Sequence, residues 1–271
     1  MAAVPVAAVA SVDPVVPLAS ACVHKRIVVD FGRLAAEGYV TELGQERRFA
    51  DYFHRIKRPL IARALAADAV QDTRVILLSS ALPGDGKSFV VLNLAMSMAR
   101  ERDVSLLLVD GDLPKARITR LLGQQREPGL LAALHDDKLD VESLVLDTDV
   151  PGLEFLPAGS SPEGATELLA SGRMRELAVR LTCRNPHRLV LFDSPPLLLS
   201  SEARALLQIA GQVVLVARAG HTPRRAIADA IEQVDKKKLQ GLVLNDASVG
   251  SSERGYYYDY FADAEGPAKP R

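Results

Sequence analysis

The stretch Val75–Ala95, V-I-L-L-S-S-A-L-P-G-D-G-K-S-F-V-V-L-N-L-A, constrains the rest of the chain. Val75 to Leu78 is a short apolar run, the mark of a buried strand. Ala81-x-x-x-x-Gly86-Lys87-Ser88 follows as a phosphate-binding loop with Ala in the first Gly position. An apolar run from Phe89 to about Ala99 then reads as a helix. Strand, loop and helix in this order let backbone N–H groups curl around an anion at a helix N-terminus, where partial positive charge gathers. Gly84 and Gly86 allow close backbone approach without a Cβ clash. Lys87 is placed to reach outer phosphates, and Ser88 to ligate Mg2+. Pro83, Gly84, Asp85, Gly86, Lys87, Ser88 and Phe89 are the candidate nucleotide contacts.

Around this core the sequence alternates strands and helices. Val104–Val109, Leu153–Leu156, Arg188–Phe192, Gln212–Ala217 and Leu242–Leu244 read as strands. Gly129–Leu134, Thr166–Leu181, Glu202–Ile209 and a stretch from Pro223 through about Lys238 read as helices, and Asp136–Leu146 is a further helical candidate. Alternation of this kind implies an α/β fold, a doubly wound, mostly parallel sheet with helices on both faces. Before it lies an N-terminal arm. Arg26–Leu34 is open between strand and helix, and Glu46–Ile56 places Phe49, Tyr52, Phe53 and Ile56 on one helical face. Pro59 is expected to end or kink that helix, or to open a second one through Ala69. The expected organisation is a disordered tail over residues 1–24, a core over 25–249 whose arm is 25–70, and a flexible tyrosine-rich tail over 250–271.

Composition narrows the partners. A formal net charge of -1 over 271 residues gives no electrostatic signal for nucleic acid or an anionic membrane. Hydrophobic content is 48% and charged content 25%, ordinary for a globular chain. No run is long enough to cross a bilayer. Cys22 and Cys183, without close His or Cys partners, suggest neither a disulfide framework nor a zinc site, so a cytoplasmic compartment is expected.

Three acidic strand ends accompany the loop: Asp110 and Asp112 after L-L-L-V, and Asp193 after L-V-L-F. In a doubly wound sheet, ligands bind outside the carboxyl ends of the strands. Carboxylates there face phosphates and can hold Mg2+. If the chain stays extended, Asp110 and Asp112 share one face and both point at the site.

With these motifs in view, the chain resembles the bacterial tyrosine kinases of polysaccharide export, the BY-kinases. A-L-P-G-D-G-K-S looks like their first nucleotide motif, L-L-L-V-D-G-D like their second, and L-V-L-F-D-S-P-P like their third. The tail cluster Tyr256, Tyr257, Tyr258 and Tyr260 completes the set. R-I-V-V-D-F-G-R-L, followed by G-Y-V-T, and R-I-K-R-P-L resemble the subgroup encoded with exosortase-linked exopolysaccharide systems. The resemblance spans about residues 24–262. It implies an ATP- and Mg2+-dependent tyrosine autokinase acting on those tail tyrosines between subunits. Ser88, Asp112 and Asp193 serve the metal in that picture, Asp110 accepts the tyrosine proton, and Asn245 contacts the base. It further implies a homo-oligomer held peripherally at the inner membrane by a membrane polysaccharide co-polymerase that activates it. Two departures stand out. Leu113-Pro114-Lys115-Ala116-Arg117 replaces the family's basic run after the second motif. Asp51, His54 and Lys57 fall where the family carries a Glu-x-x-Arg-x-x-Lys/Arg subunit-contact motif. The competing readings are a partition-type ATPase switch, disfavoured by Leu82 where a signature Lys would stand, and a nucleotide-binding scaffold that transfers nothing.

Overall fold

Residues 24–39, 46–66, 71–159 and 164–247 are described by the structure, a computed structural model. The tail tyrosines Tyr256, Tyr257, Tyr258 and Tyr260 lie outside the described residues, as does Cys22.

The strands are β1 (Lys25–Ile27), β2 (Val75–Ser80), β3 (Ser105–Asp110), β4 (Leu146–Thr148), β5 (Leu153–Leu156), β6 (Arg188–Asp193), β7 (Gln212–Arg218) and β8 (Leu239–Asn245). They form one sheet in the order β1-β4-β5-β3-β6-β2-β7-β8. Every neighbouring pair is parallel except β4 with β5. The expected doubly wound, mostly parallel sheet is therefore present. Its central strands are buried on both faces, which is why they read as continuous apolar runs.

The helices are α1 (Phe31–Ala36), α2 (Glu46–Ala64), α3 (Lys87–Met98), α4 (Arg117–Leu121), α5 (Leu130–His135), α6 (Ala165–Leu169), α7 (Gly172–Cys183), α8 (Ser201–Ile209) and α9 (Arg224–Glu232). Side chains alternate across the strands and divide the core in two. Ile76 and Leu78 of β2 face Phe53, Leu60, Val91 and Leu94 of α2 and α3. Val75 and Leu77 face the cluster that holds Leu130, Leu177 and Leu206 of α5, α7 and α8.

Several elements differ from the sequence reading. The arm contains both a strand and a helix: β1 pairs with β4 at the sheet edge, and Asp30 caps α1 by accepting from the Arg33 N–H at 2.9 Å. Pro59 lies inside α2, which runs through it to Ala64. The packed face of Phe53, Leu60 and Ala64 holds the helix where local propensity would end it. Thr166–Leu181 is two helices broken at Ser171, whose ψ of 162° is extended. Asp136–Leu146 yields one 3₁₀ turn, Val141–Leu144. The helix expected from Pro223 stops at Glu232, because Asp235–Lys238 turns into β8.

At the N-terminal end of the strands runs an ion-pair chain. Arg188 donates to Glu142 at 2.6 Å and to Glu154 at 2.8 Å, and His24 Nδ1 lies 3.2 Å from Asp147 Oδ1. His24, Asp147 and Glu154 bring ligand atoms within 4.8 Å of one another. Glu154 is already engaged by Arg188, so these groups satisfy one another rather than waiting for an ion. No described helix is long and apolar enough to cross a membrane.

Candidate active site

The site forms where β2, β3 and β6 end side by side. β2 runs into the phosphate loop and then into α3, whose first residue is Lys87. The loop curls because Gly84 and Gly86 adopt φ of +88° and +84°, the left-handed region. α3 begins with no side-chain cap at its N-terminus, so its first N–H groups are left for an anion. A cavity of about 340 Å³ opens over the loop, lined among others by Pro83, Gly84, Asp85, Gly86, Lys87, Ser88, Phe89 and Asp112.

Lys87 Nζ donates to Asp193 Oδ1 at 2.5 Å and lies 3.7 Å from Asp112 Oδ2. Ser88 Oγ donates to Asp193 Oδ2 at 3.1 Å. Lysine, hydroxyl and two carboxylates thus meet at the base of the cavity, Lys87, Ser88 and Asp112 lining it and Asp193 buried behind them. Burial raises the Asp193 carboxyl above its ordinary range, against the opposing pull of Lys87. Three hard oxygen donors beside a cation and an uncapped helix end fit a magnesium–nucleotide pair.

The third motif is pinned to β2. Ser194 Oγ donates to the Leu78 carbonyl at 2.9 Å, Ser79 Oγ donates to the Pro195 carbonyl at 3.0 Å, and the Leu197 N–H donates to the Ser80 carbonyl at 2.8 Å. The second motif is pinned to the third: the Gly111 N–H donates to the Asp193 carbonyl at 2.8 Å. A Cβ on Gly111 would lie 2.7 Å from that carbonyl oxygen, so glycine is what lets the two acidic strand ends close together.

Asp110 does not share the face of Asp112. Its side chain is fully buried, and Oδ2 accepts from the N–H and hydroxyl of Thr119 at 2.8 and 2.7 Å. Oδ1 has no partner. The strand ends at Asp110, and the chain turns there, so the extended geometry behind the expectation does not continue. Burial, with the nearby Asp193 charge, pushes the Asp110 carboxyl up to about 7. Asn245 donates from Nδ2 to the Asp85 carbonyl at 3.1 Å and packs over Gly86. Lys57 is buried, donating to the Ser97 carbonyl at 2.8 Å and pairing with Glu101 at 2.7 Å, while Asp51 and His54 are exposed. The hydrogen bond from Lys57 to Glu101 lowers the Glu101 carboxyl.

Three features of the site's surroundings were not placed there by the sequence reading. Glu37, Gly38 and Tyr39 of the arm line the cavity, as do Lys115 and Arg117. The Arg117 guanidinium lies 5.3 Å from the centre of the Tyr39 ring. Thr119 also accepts from the Ala158 N–H at 3.0 Å, locking α4 beneath the second motif.

No family model matches the chain. EpsB of Ralstonia nicotianae is 35% identical over 192 residues, 69% of this chain and 25% of EpsB. The tyrosine-protein kinase YwqD of Bacillus subtilis is 32% identical over 194 residues, 70% of this chain and 80% of YwqD. The chain belongs to the bacterial tyrosine-protein kinases. This family membership extends to structure: the kinase domain of VpsO superposes with a TM-score of 0.62 at 28% identity, covering 75% of this chain and 98% of that domain. The chain spans about a quarter of the length of EpsB and four fifths of YwqD. Of the residues singled out in the sequence, the structure draws together Lys87, Ser88, Asp112 and Asp193, while Asp110 is turned onto Thr119.

Proposed function

We propose that the chain is an ATP- and Mg2+-dependent protein-tyrosine kinase that transfers the γ-phosphate to tyrosines of its own C-terminal segment. The acceptors are Tyr256, Tyr257, Tyr258 and Tyr260, and transfer runs between subunits. The observation that carries the reading is the convergence of Lys87, Ser88, Asp112 and Asp193 under an uncapped helix end in a family member. In this reading Lys87 leaves Asp193 for the outer phosphates, and Ser88 and Asp193 are freed to hold the metal, with Asp112 assisting beside them. Bound Mg2+ would neutralise charge on the transferring group. The loop glycines and the α3 N-terminus orient the phosphates, and Asn245 turns from Asp85 to the base.

A phenol ionises near pH 10, so acceptance of its proton helps. Geometry comes before acidity in choosing the acceptor. Asp112 faces the cavity and Asp110 does not, so the acceptor role passes from Asp110 to Asp112, and Asp110 becomes a positioning residue that holds Thr119. The kinase would control exopolysaccharide polymerisation or export, held at the membrane by a co-polymerase that completes its activation. Purified protein incubated with Mg-ATP should acquire phosphate on the tail, read by mass spectrometry. An unmodified tail in the presence of a co-polymerase segment refutes the autokinase reading.

A further inference from the structure

Asp85 stands inside the phosphate loop and is 1% exposed. A carboxylate so enclosed needs donors. One is local: the Leu82 N–H reaches Oδ2 at 3.0 Å. The other comes from 137 residues away, where the Thr222 hydroxyl donates to Oδ1 at 2.6 Å. Thr222 sits in the turn between β7 and α9. Its oxygen accepts from the Arg218 N–H at 2.7 Å, so the hydroxyl has one role as donor and one as acceptor.

The same turn is tied to the end of β8. The Ala219 N–H donates to the Asn245 carbonyl at 2.9 Å, and Arg218 pairs with Asp246 at 2.9 Å. Asn245 in turn donates to the Asp85 carbonyl at 3.1 Å. Asp85 is thus gripped twice, by its side chain through Thr222 and by its backbone through Asn245. Both grips start from one rigid corner of the sheet. Next to it, Gly84 has open space where a side chain would stand.

We propose that Thr222 is a positioning residue for nucleotide binding: through Asp85 it keeps the phosphate loop curled before phosphate arrives. The inference rests on the nucleotide-binding reading above. If Asn245 moves to a base, its hydrogen bond to Asp85 is released, and the Thr222 hydroxyl becomes the remaining long-range hold on the loop. Preorganisation of this kind raises affinity by lowering the ordering cost at binding.

The test compares Thr222→Val, which keeps shape and loses the donor, with Thr222→Ser, which keeps the hydroxyl. Binding of Mg-ADP is measured by calorimetry, and tail phosphorylation is followed against ATP concentration. Thr222→Val should raise the Mg-ADP Kd and the ATP KM by about tenfold, the scale of one lost hydrogen bond to a charged group. Its kcat should fall less than KM rises, and Thr222→Ser should restore binding to within about twofold. In a double-mutant cycle, Asp85→Ala should weaken binding similarly, with no further loss in the Asp85→Ala/Thr222→Val protein. Wild-type affinity in Thr222→Val, or additive losses in the cycle, overturns the positioning role while nucleotide binding stands. Wild-type protein that binds no Mg-ADP overturns both.

Discussion

In the proposed mechanism, Lys87 and Asp193 are the residue pair on which the chemistry turns. Lys87→Ala removes the cation and leaves a buried carboxylate facing a cavity, so phosphotyrosine should vanish from a protein that still gives a native circular dichroism spectrum. Persistent autophosphorylation in that variant refutes the kinase mechanism. Gly86 accommodates a side chain only with backbone strain and displacement of Asn245. Its φ is +84°, and a Cβ would lie 1.9 Å from Asn245 Nδ2. Gly86→Ala should cost ~1–2 kcal/mol in backbone strain alone and abolish measurable Mg-ADP binding in calorimetry. Asp110 separates position from acidity. Its native carboxyl titrates near 7, well above the 3.8 of an unperturbed one, so the folded protein holds a proton that the unfolded chain has released. Asp110 therefore contributes stability that fades as pH rises from about 4 to 7, and Asp110→Asn should remove that part of the pH dependence in urea unfolding of nucleotide-free protein. The same variant should keep most of its activity, whereas Asp112→Asn should lose nearly all of it; the reverse ranking in a phosphorylation assay would return the proton to Asp110. The loop, the lysine and the acidic strand ends were legible because each sits in a contiguous motif. The orientation of Asp110 was not, because it depends on Thr119, which reaches it only after the chain turns.

Among the elements, the central strands were legible and the arm was not. β2, β3 and β6 carry unbroken apolar runs, Val75–Leu78, Leu106–Val109 and Leu189–Phe192, a pattern that burial on both faces imposes. α2 shows tertiary packing overriding local preference, since Pro59 removes one N–H and still leaves the helix unbroken. Pro59→Ala should restore that hydrogen bond. Part of the gain is offset by the freer unfolded chain, leaving a net stabilisation of ~1 kcal/mol. Thermal unfolding should rise by roughly 2–4 °C at this chain size. An unchanged or lower midpoint would mean that Pro59 shapes the face packed on α3. The arm escaped notice for another reason. Glu37 and Tyr39 reach the cavity only through α1, which is six residues long, and through Asn93, which donates to the Tyr39 carbonyl at 2.5 Å. Neither feature leaves a periodic trace in the sequence.

At the scale of the whole molecule, the proposed autokinase is an assembly that phosphorylation loosens. Each phosphate adds about -1.5 to -2 charges to a segment that already carries Asp259 and Asp263. Docked on carboxylates of a neighbour, such a segment is repelled. Unphosphorylated protein should therefore show a higher mass by light scattering than the phosphorylated form at equal concentration, and equal masses would refute the switch. Lys57, spent on Glu101 within its own chain, is no candidate for the contact that phosphorylation releases. The order of the sheet bears on the same question. β8 stands two strands from β2, a lateral distance of about 10 Å. Tyr256 lies eleven positions beyond Asn245, a contour of roughly 36 Å when extended. Reach alone thus permits a chain to modify itself, and molecularity becomes a question for complementation. One chain with Lys87→Ala and a native tail can be mixed with another whose four tail tyrosines are phenylalanine. Label on the first chain, at an initial rate proportional to the concentration of the second, would make the reaction bimolecular by necessity rather than by preference of the assay.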